Sequence, residues 1–317
     1  MNSWCRHTAA IALLALWQTH PTAQRPTFHS GTELVGLNVT VIGPNAKPII
    51  GLSADQFQVF EDGVQQQVKF FSPGEMPLDV VILLDTSASM SASMGLVQQA
   101  AARFARGLRS TDRAAVMGIS GGLRIIQPFS DDMTAVERAI RSTTAAGRTP
   151  LYSSIYTALK ELDKSRQTSE EPRRQALVVL TDGQDTSSTF TYDELLSEVR
   201  RYDVPIYTIA PRPTNITKAM REQFYGQSTS VADFELKTLA AETGGRSFFP
   251  ASPTELGPVY DDIASELAHQ YSLGYQSSNS ARNGMFRRIA LKILAPGLTW
   301  RTRAGYIADR DTATHGG

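Results

Sequence analysis

The sequence predicts an α/β protein with a doubly wound, mostly parallel sheet that is inserted in, or flanked by, a small β-sandwich. Apolar runs alternate with helical patterns over residues 78–269, which is typical of an open sheet covered by helices. Segments rich in β-branched and aromatic residues, which are enriched in strands, precede and follow that region. The composition, with 41% apolar and 20% charged residues, is globular and excludes a disordered or fibrous chain.

The first 23 residues have the features of a secretory signal peptide. Arg6 is the only charged residue before Arg25, and it precedes an apolar run at residues 8–17 that is too short to cross a bilayer. We therefore expect export to the periplasm or the extracellular space, with an uncleaved N-terminal anchor as the alternative. No later stretch is long and apolar enough to span a membrane, so we expect no transmembrane segment after cleavage.

Strand patterns occur at both ends of the chain, in an N-terminal β segment at residues 30–77 and a C-terminal one at residues 270–307. Asp62 and Gly63 lie between two of the runs, which is a strong signal for a β-hairpin. We expect the strands of the two ends to pair with each other in a single sandwich. The predicted strands are 33–42, 56–60, 64–71, 270–276, 286–294 and 298–307.

The middle region, residues 78–269, is predicted to be a separate α/β domain. Its three continuous apolar runs, at 79–85, 175–182 and 204–210, are typical of parallel strands that are buried on both faces. Apolar residues at helical spacing, and Thr191 with Glu194 as a capping box, predict helices between the strands. The predicted helices are 94–108, 151–162, 191–202, 233–244 and 252–269.

Oxygen-bearing side chains follow the predicted strands at the points where ligands bind in such sheets. One group is Asp-x-Ser-x-Ser after the first strand, and another is the acid of Thr-Asp-Gly after the second. A third is the threonine of Gly-Arg-Thr-Pro, which we expect to be a helix N-cap with Pro150 in the first turn. The predicted site residues are Asp85, Ser87, Ser89, Thr149 and Asp182.

The chemistry of this set favours a hard cation. Carboxylate and hydroxyl oxygens suit Mg²⁺, with Mn²⁺ or Ca²⁺ as alternatives, and they do not suit zinc. Asp85 and Asp182 can balance the charge of the ion, which leaves a coordination position for an anionic group from outside. The plainer interpretation is that Ser87, Ser89 and Thr149 only cap helices and that the two acids are ordinary loop residues.

Taken in this order, these residues resemble the metal-ion-dependent adhesion site of a von Willebrand factor type A domain, over residues 78–269. The resemblance implies a Rossmann-like sheet with one Mg²⁺. In that family the two serines, and the counterpart of Thr149 when the site is open, contact the metal. The counterparts of the two aspartates bind mainly through water, and a Glu or Asp of a protein ligand completes the coordination.

The flanking strands resemble those of bacterial secreted proteins of the VWFA-related subgroup, so that the resemblance covers nearly the whole mature chain. It rests on LVGLNVTVI, GLSADQFQVFEDG and QYSLGY with FRRIALKI. This subgroup has no common assigned partner. The polar segment 211–230 departs from the pattern as an insertion, either a disordered loop or a contact element.

We therefore expect a metal-dependent binding protein that recognises an acidic residue of a partner, and not an enzyme. The alternatives are a phosphatase-like hydrolase with Asp85 as nucleophile, which lacks the second acid because residue 87 is serine, and a structural envelope protein. Balanced charge, 31 basic against 31 acidic residues, predicts no nucleic-acid partner. The single cysteine, Cys5, lies in the predicted signal peptide and excludes a cysteine-ligated zinc site.

Overall fold

The structure, a computed structural model, describes residues 34–308 apart from residues 75, 183 and 212–230. The described residues belong to one unit of the chain, Glu33–Gly317. The predicted signal peptide lies outside the described residues, and so does the predicted insertion apart from Pro211. None of the described helices is long and apolar enough to cross a membrane.

In the described ranges, strands at both ends of the chain enclose a region in which strands and helices alternate. The strands are β1 (Leu34–Ile42), β2 (Phe57–Glu61), β3 (Val64–Gln66), β4 (Val68–Pro73), β5 (Leu78–Asp85), β6 (Arg113–Ile119), β7 (Leu123–Ser130), β8 (Arg174–Leu180), β9 (Ile206–Ile209), β10 (Ser247–Phe248), β11 (Tyr271–Gln276), β12 (Phe286–Ile293), β13 (Thr299–Arg301) and β14 (Gly305–Ile307). The helices are α1 (Met94–Arg106), α2 (Met133–Arg141), α3 (Leu151–Thr168), α4 (Tyr192–Val199), α5 (Val231–Thr243) and α6 (Leu256–Ala268).

The middle of the chain forms a six-stranded sheet in the order β10-β9-β8-β5-β6-β7. All strands run parallel except β7, which pairs with β6 as an antiparallel hairpin. Every residue of β5 is buried, because β5 lies between β6 and β8 and has helices on both faces. The strand order reverses between β5 and β8, which is where open α/β sheets form their ligand crevice.

Two helical layers cover this sheet, and alternate residues of β5 face opposite layers. Val80, Ile82 and Leu84 pack in the core formed with α1, α2 and α6. Val81 and Leu83 pack in the core formed with α3, α4 and α5. The predicted doubly wound, mostly parallel sheet is confirmed.

The two ends of the chain form a β-sandwich of two four-stranded sheets, in the orders β13-β1-β11-β4 and β14-β12-β2-β3. Each sheet combines strands from both ends of the chain, since β1 pairs with β11 and β2 pairs with β12. A shared apolar core that includes Leu37, Val59, Leu273 and Leu291 fills the space between the sheets. The fold class predicted from the sequence, an α/β sheet inserted in a sandwich, is therefore confirmed.

Two of the predicted strands are each divided into two shorter strands that belong to different sheets. The predicted strand at 64–71 is β3, which pairs with β2, followed by β4, which pairs with β11. The predicted strand at 298–307 is β13, which pairs with β1, followed by β14, which pairs with β12.

The helix boundaries also differ from the prediction in places. Helix α2 was not predicted; Asp132 caps it by accepting from the amides of Thr134 and Ala135. Helix α5 includes Val231, so Asp233 does not open it. The last predicted helix begins as a short 3-10 turn at Pro253–Glu255 before α6.

The sandwich is joined to the end of the sheet where the parallel strands begin, which we call the amino end. The chain passes from β4 into β5 there, and α6 leads into β11 after only two residues. The Gln270 side-chain amide donates to the Tyr207 hydroxyl at 3.0 Å and to the Thr40 hydroxyl at 3.1 Å, which links the sandwich to β9. Asp85 and Asp182 lie at the opposite, carboxyl end of the sheet.

Candidate metal centre at the carboxyl end of the sheet

Asp85 is the last residue of β5, and its side chain is buried and held in one orientation. One carboxylate oxygen, Oδ1, accepts from the Ser87 amide at 2.9 Å. The other, Oδ2, accepts from the Thr181 hydroxyl at 2.7 Å. These bonds tie the carboxylate both to its own loop and to the residue that follows β8.

Ser87 and Ser89 follow Asp85 on the loop that leaves β5. Ser87 is buried and extended, with φ −70° and ψ 164°, whereas Ser89 is exposed in the 3-10 turn Ala88–Ala92. Their hydroxyl oxygens lie 3.0 Å apart. The alternate residues of the predicted Asp-x-Ser-x-Ser pattern therefore do converge.

Thr149 lies on the loop before α3 and is buried. The Gly147 carbonyl on this loop accepts from the Ala88 amide at 3.2 Å, so the loop packs against the serine segment. The prediction that Thr149 is the N-cap was wrong, because Pro150 occupies that position. The Thr149 main chain bonds to Thr186 instead, and its hydroxyl makes no hydrogen bond to any residue that the structure describes.

Asp182 follows β8 and is half-buried, and its Oδ1 accepts from the Gln184 amide at 3.1 Å. Its segment completes a set of three loops that are hydrogen-bonded in every pairing. Thr181 bonds to Asp85, Ala88 bonds to Gly147, and the Thr186 hydroxyl accepts from the Thr149 amide at 2.9 Å. The structure thus brings the loops that carry the predicted site residues to one end of the sheet.

The electrostatic environment of Asp85 disfavours its ionised form. Burial raises the pKa of Asp85, and the charge of Asp182 raises it further, while hydrogen bonds from Ser87 and Thr181 oppose the rise. Among the residues that the structure describes, no Lys, Arg or His forms an ion pair with either carboxylate. A buried carboxylate without a cation is costly to keep ionised.

The same strand carries a second buried aspartate at its other end, and this one is neutralised by the protein. The Asp79 carboxylate is 2.6 Å from Nη2 of Arg113 and 2.6 Å from Nε of Arg173, and it accepts from the Ser165 hydroxyl at 2.8 Å. Burial alone raises the pKa of Asp79, but the hydrogen bonds from Arg113, Ser165 and Arg173 lower it overall.

The donor set at the carboxyl end fits a hard divalent cation. It offers carboxylate and hydroxyl oxygens. Among the described residues, the fully buried Asp85 has no basic partner and the Thr149 hydroxyl has no hydrogen bond. No group of three or more His, Cys, Asp or Glu side chains that could hold a metal occurs in the described ranges. A site of two carboxylates and three hydroxyls needs no such group, so the predicted ligand set stays a prediction.

Three residues that support this arrangement were missed in the sequence. Thr181 orients Asp85, Thr186 bonds to the Thr149 main chain, and Asp185 accepts from the Tyr152 amide at 3.3 Å. The signal that could have found them is the high number of acidic and hydroxyl residues at 181–189. The predicted site uses only one of these residues, Asp182, as a ligand.

Known proteins resemble this chain over its middle region and beyond. The model of the family "von Willebrand factor type A domain" matches residues 79–262, more than half of the chain. A UPF0353 protein of Nocardia farcinica is 24% identical over 249 residues, which are 71% of this chain and 72% of that protein.

Two solved structures are also similar. A von Willebrand factor type A protein from Catenulispora acidiphila aligns with a TM-score of 0.49 and 13% identity, over 90% of this chain and 76% of that one. An aerotolerance-related membrane protein from Bacteroides fragilis aligns with a TM-score of 0.46 and 17% identity, over 60% of this chain and 98% of that one.

Proposed function

This chain belongs to the von Willebrand factor type A domain family, and on that premise we propose that it is an exported, metal-dependent binding protein. In this proposal a divalent cation, Mg²⁺ in the first place, is held at the carboxyl end of the sheet. The cation binds an Asp or Glu side chain of a partner protein. The periplasm or the extracellular space is the proposed location, following the signal-like N-terminus.

The observation that carries the proposal is that Asp85 has no basic partner in the part of the chain that the structure describes. Buried acids in proteins are paired with cations, hydrogen-bonded, or neutral. Asp79 on the same strand meets this requirement with two arginines, whereas Asp85 has only hydroxyl and amide donors among the described residues. An external cation would supply the missing charge for Asp85 and for the neighbouring Asp182.

Each site residue has a separate role in this proposal. Asp85 and Asp182 would balance the charge of the cation, and Ser87, Ser89 and Thr149 would supply neutral hydroxyl oxygens. When bound, the cation supplies a strong electrostatic attraction for a carboxylate. Because the other three side chains are neutral and the two carboxylates only balance the charge of a divalent ion, a coordination position of the ion is left for an anionic ligand from outside.

We propose binding without catalysis. Hydrolases that use an aspartate nucleophile at the end of a first strand need a general acid close to it. Two residues after Asp85 the chain has Ser87, and the other nearby acid, Asp182, follows a different strand. His269 gives no general acid either, because it ends α6 at the amino end of the sheet, with Nδ1 2.6 Å from the Ser265 carbonyl oxygen.

The position of the sandwich supports a partner protein as the ligand. Both connections to the sandwich lie at the amino end of the sheet, together with the Gln270 contacts to Tyr207 and Thr40. The carboxyl end points the opposite way, and Ser89 there is exposed. A large ligand can therefore approach the proposed site without meeting the sandwich.

The test is a calorimetric titration of the chelator-treated protein with Mn²⁺ and with Mg²⁺. We expect one binding site in the wild type and none in Asp85→Asn, which preserves the shape of the side chain. Asp131→Asn is the matched control, because Asp131 is an exposed acid beyond the far end of β7. A saturating metal, at a hundred times its Kd, should add about 2.7 kcal/mol to the free energy of unfolding.

A pull-down from the periplasmic and extracellular proteins of the native host, with and without chelator, separates the proposal from its alternatives. Capture that is lost with chelator and in Asp85→Asn supports the binding protein. Steady phosphate release from a generic phosphoester that is lost in Asp85→Asn would favour the hydrolase. Metal-dependent melting with no chelator-sensitive capture would favour a structural envelope protein. A wild type that binds neither metal would overturn the proposal.

A further inference from the structure

Residues 185–188, which we call the clamp segment, hold the Thr149 loop through its main chain. The Thr149 amide donates to Thr186 Oγ1 at 2.9 Å, and the Thr186 amide donates to the Thr149 carbonyl oxygen at 2.9 Å. This reciprocal pair joins residues that are 37 positions apart in the chain. Thr149 is therefore held by the segment that follows Asp182, and not by its own helix.

The clamp segment also caps helix α3 from outside. The N-cap position of α3 is Pro150, whose side chain makes no capping hydrogen bond. The amides of Tyr152 and Ser153 would normally bond to an N-cap side chain. Here the Tyr152 amide donates to Asp185 Oδ1 at 3.3 Å, and the Ser153 amide donates to Ser188 Oγ at 3.1 Å.

The clamp segment is itself held in shape. The Ser188 amide donates to Asp185 Oδ2 at 3.2 Å, and the Ser188 hydroxyl donates to Asp185 Oδ1 at 2.5 Å. Both ends of the segment that carries Thr149 are therefore anchored, at Gly147 by the Ala88 amide and beyond Pro150 by the clamp segment. The Thr149 hydroxyl is thus carried on a main chain that is bonded on both sides.

We propose that Thr186 is a positioning residue that fixes the Thr149 hydroxyl for the cation without touching the cation itself. The inference rests on the proposed function. A loop that is already ordered loses less conformational entropy when it binds a ligand, so it binds more tightly. Thr186 is exposed, which means that its side chain can be changed without disturbing the core.

The test compares Mn²⁺ affinity among variants of the full chain by calorimetry. Thr186→Val keeps the shape of the side chain but removes the oxygen that accepts from the Thr149 amide. We expect its Kd for Mn²⁺ to rise by about threefold to tenfold, the effect of losing one neutral hydrogen bond. Thr186→Ser keeps the oxygen and should restore the wild-type Kd, which a purely steric role would not predict.

The matched control is Thr189→Val, the same change at an exposed threonine whose hydroxyl lies 3.4 Å from that of Ser153. It should leave the Kd unchanged. Hydrogen exchange gives a second readout, since the Thr149 amide should exchange faster in Thr186→Val than in the wild type or in Thr189→Val.

The outcomes separate this inference from the proposed function. Weaker Mn²⁺ binding in Thr186→Val, rescue by Thr186→Ser and faster exchange at Thr149 support the positioning role. Equal Mn²⁺ affinity in the wild type and Thr186→Val overturns that role and leaves the metal site standing. A wild type that binds no Mn²⁺ overturns the proposed function and the positioning role together.

Discussion

Strand β5 has a buried aspartate at each end, and the two carboxylates have different partners. Asp79 and Asp85 are both fully buried, six residues apart on one strand. At the amino end, Arg113 and Arg173 neutralise Asp79, and its pKa is lowered. At the carboxyl end, no described basic residue pairs with Asp85, and its pKa is raised.

The comparison of Asp79 with Asp85 shows that the burial of an acid does not by itself indicate a binding site. An acid that is fully paired inside the protein is a structural element, here one that ties β5 to β6 and to the start of β8. An acid that is buried without a cation leaves a charge that something else has to balance. The buried fraction of the side chain does not separate these two kinds of acid, whereas the identity of their partners does.

The largest expected effect is at the amino end. Asp79→Asn removes the charge between Arg113 and Arg173 and leaves two guanidinium groups without their shared partner. Breaking a buried ion pair from one side typically costs about 3–5 kcal/mol of the free energy of unfolding. Urea denaturation of the metal-free protein measures the loss. A loss below about 1 kcal/mol would mean that the amino end is not stabilised by this pairing.

An effect of intermediate size is expected when the stabilisation by Asp79 is measured at acidic pH. Because the pKa of Asp79 is lowered below its ordinary value of 3.8, its ionised form stabilises the fold fully above that ordinary value. This stabilisation is lost as the pH falls through the lowered pKa. The stability gap between the wild type and Asp79→Asn should therefore narrow as the pH falls from about 4 towards 2.

Urea denaturation of both proteins at several pH values in the absence of metal measures this gap. A gap that keeps its size throughout the acid range would show that the ionised Asp79 carboxylate is not the source of the difference.

The smallest expected effect is at the carboxyl end. In metal-free protein, Asp85→Asn removes a buried charge that no described basic residue balances, and it keeps an oxygen that can accept from Thr181 or Ser87. We expect the free energy of unfolding to change by no more than about 1 kcal/mol, in either direction. Urea denaturation in the presence of chelator measures this change. A loss of stability as large as that of Asp79→Asn would show that the two ends of β5 do not differ in the way proposed.

Much of the fold could be predicted from the sequence because the signals are local. The apolar run of β5 reflects burial on both faces, and the Asp62-Gly63 pair does form the β2–β3 hairpin, with φ of +48° and +85°. The capping box of Thr191 and Glu194 is present at the start of α4. The resemblance to a von Willebrand factor type A domain, taken from five residues of the middle region, is confirmed by the family match over residues 79–262.

Local signals failed where a residue's partner is far away in the chain. Thr149 is a residue type that favours the N-cap position, but its main chain is hydrogen-bonded to Thr186. The side chains of Asp185 and Ser188 cap α3 instead. The strands predicted at 64–71 and 298–307 cross between sheets, which one continuous hydrophobic pattern does not reveal.

The sequence by itself predicted most of the elements, although not α2, and placed five oxygen-bearing residues at strand ends and before a helix, because periodicity, turns and caps depend on neighbours a few positions apart. The tertiary structure decided which acid has a counter-charge. Asp79 pairs with Arg113 and Arg173, which are 34 and 94 residues away in the chain, and no pattern in the sequence identifies those two partners. Charge balance in a protein interior depends on distances in space, and only the folded arrangement sets those distances.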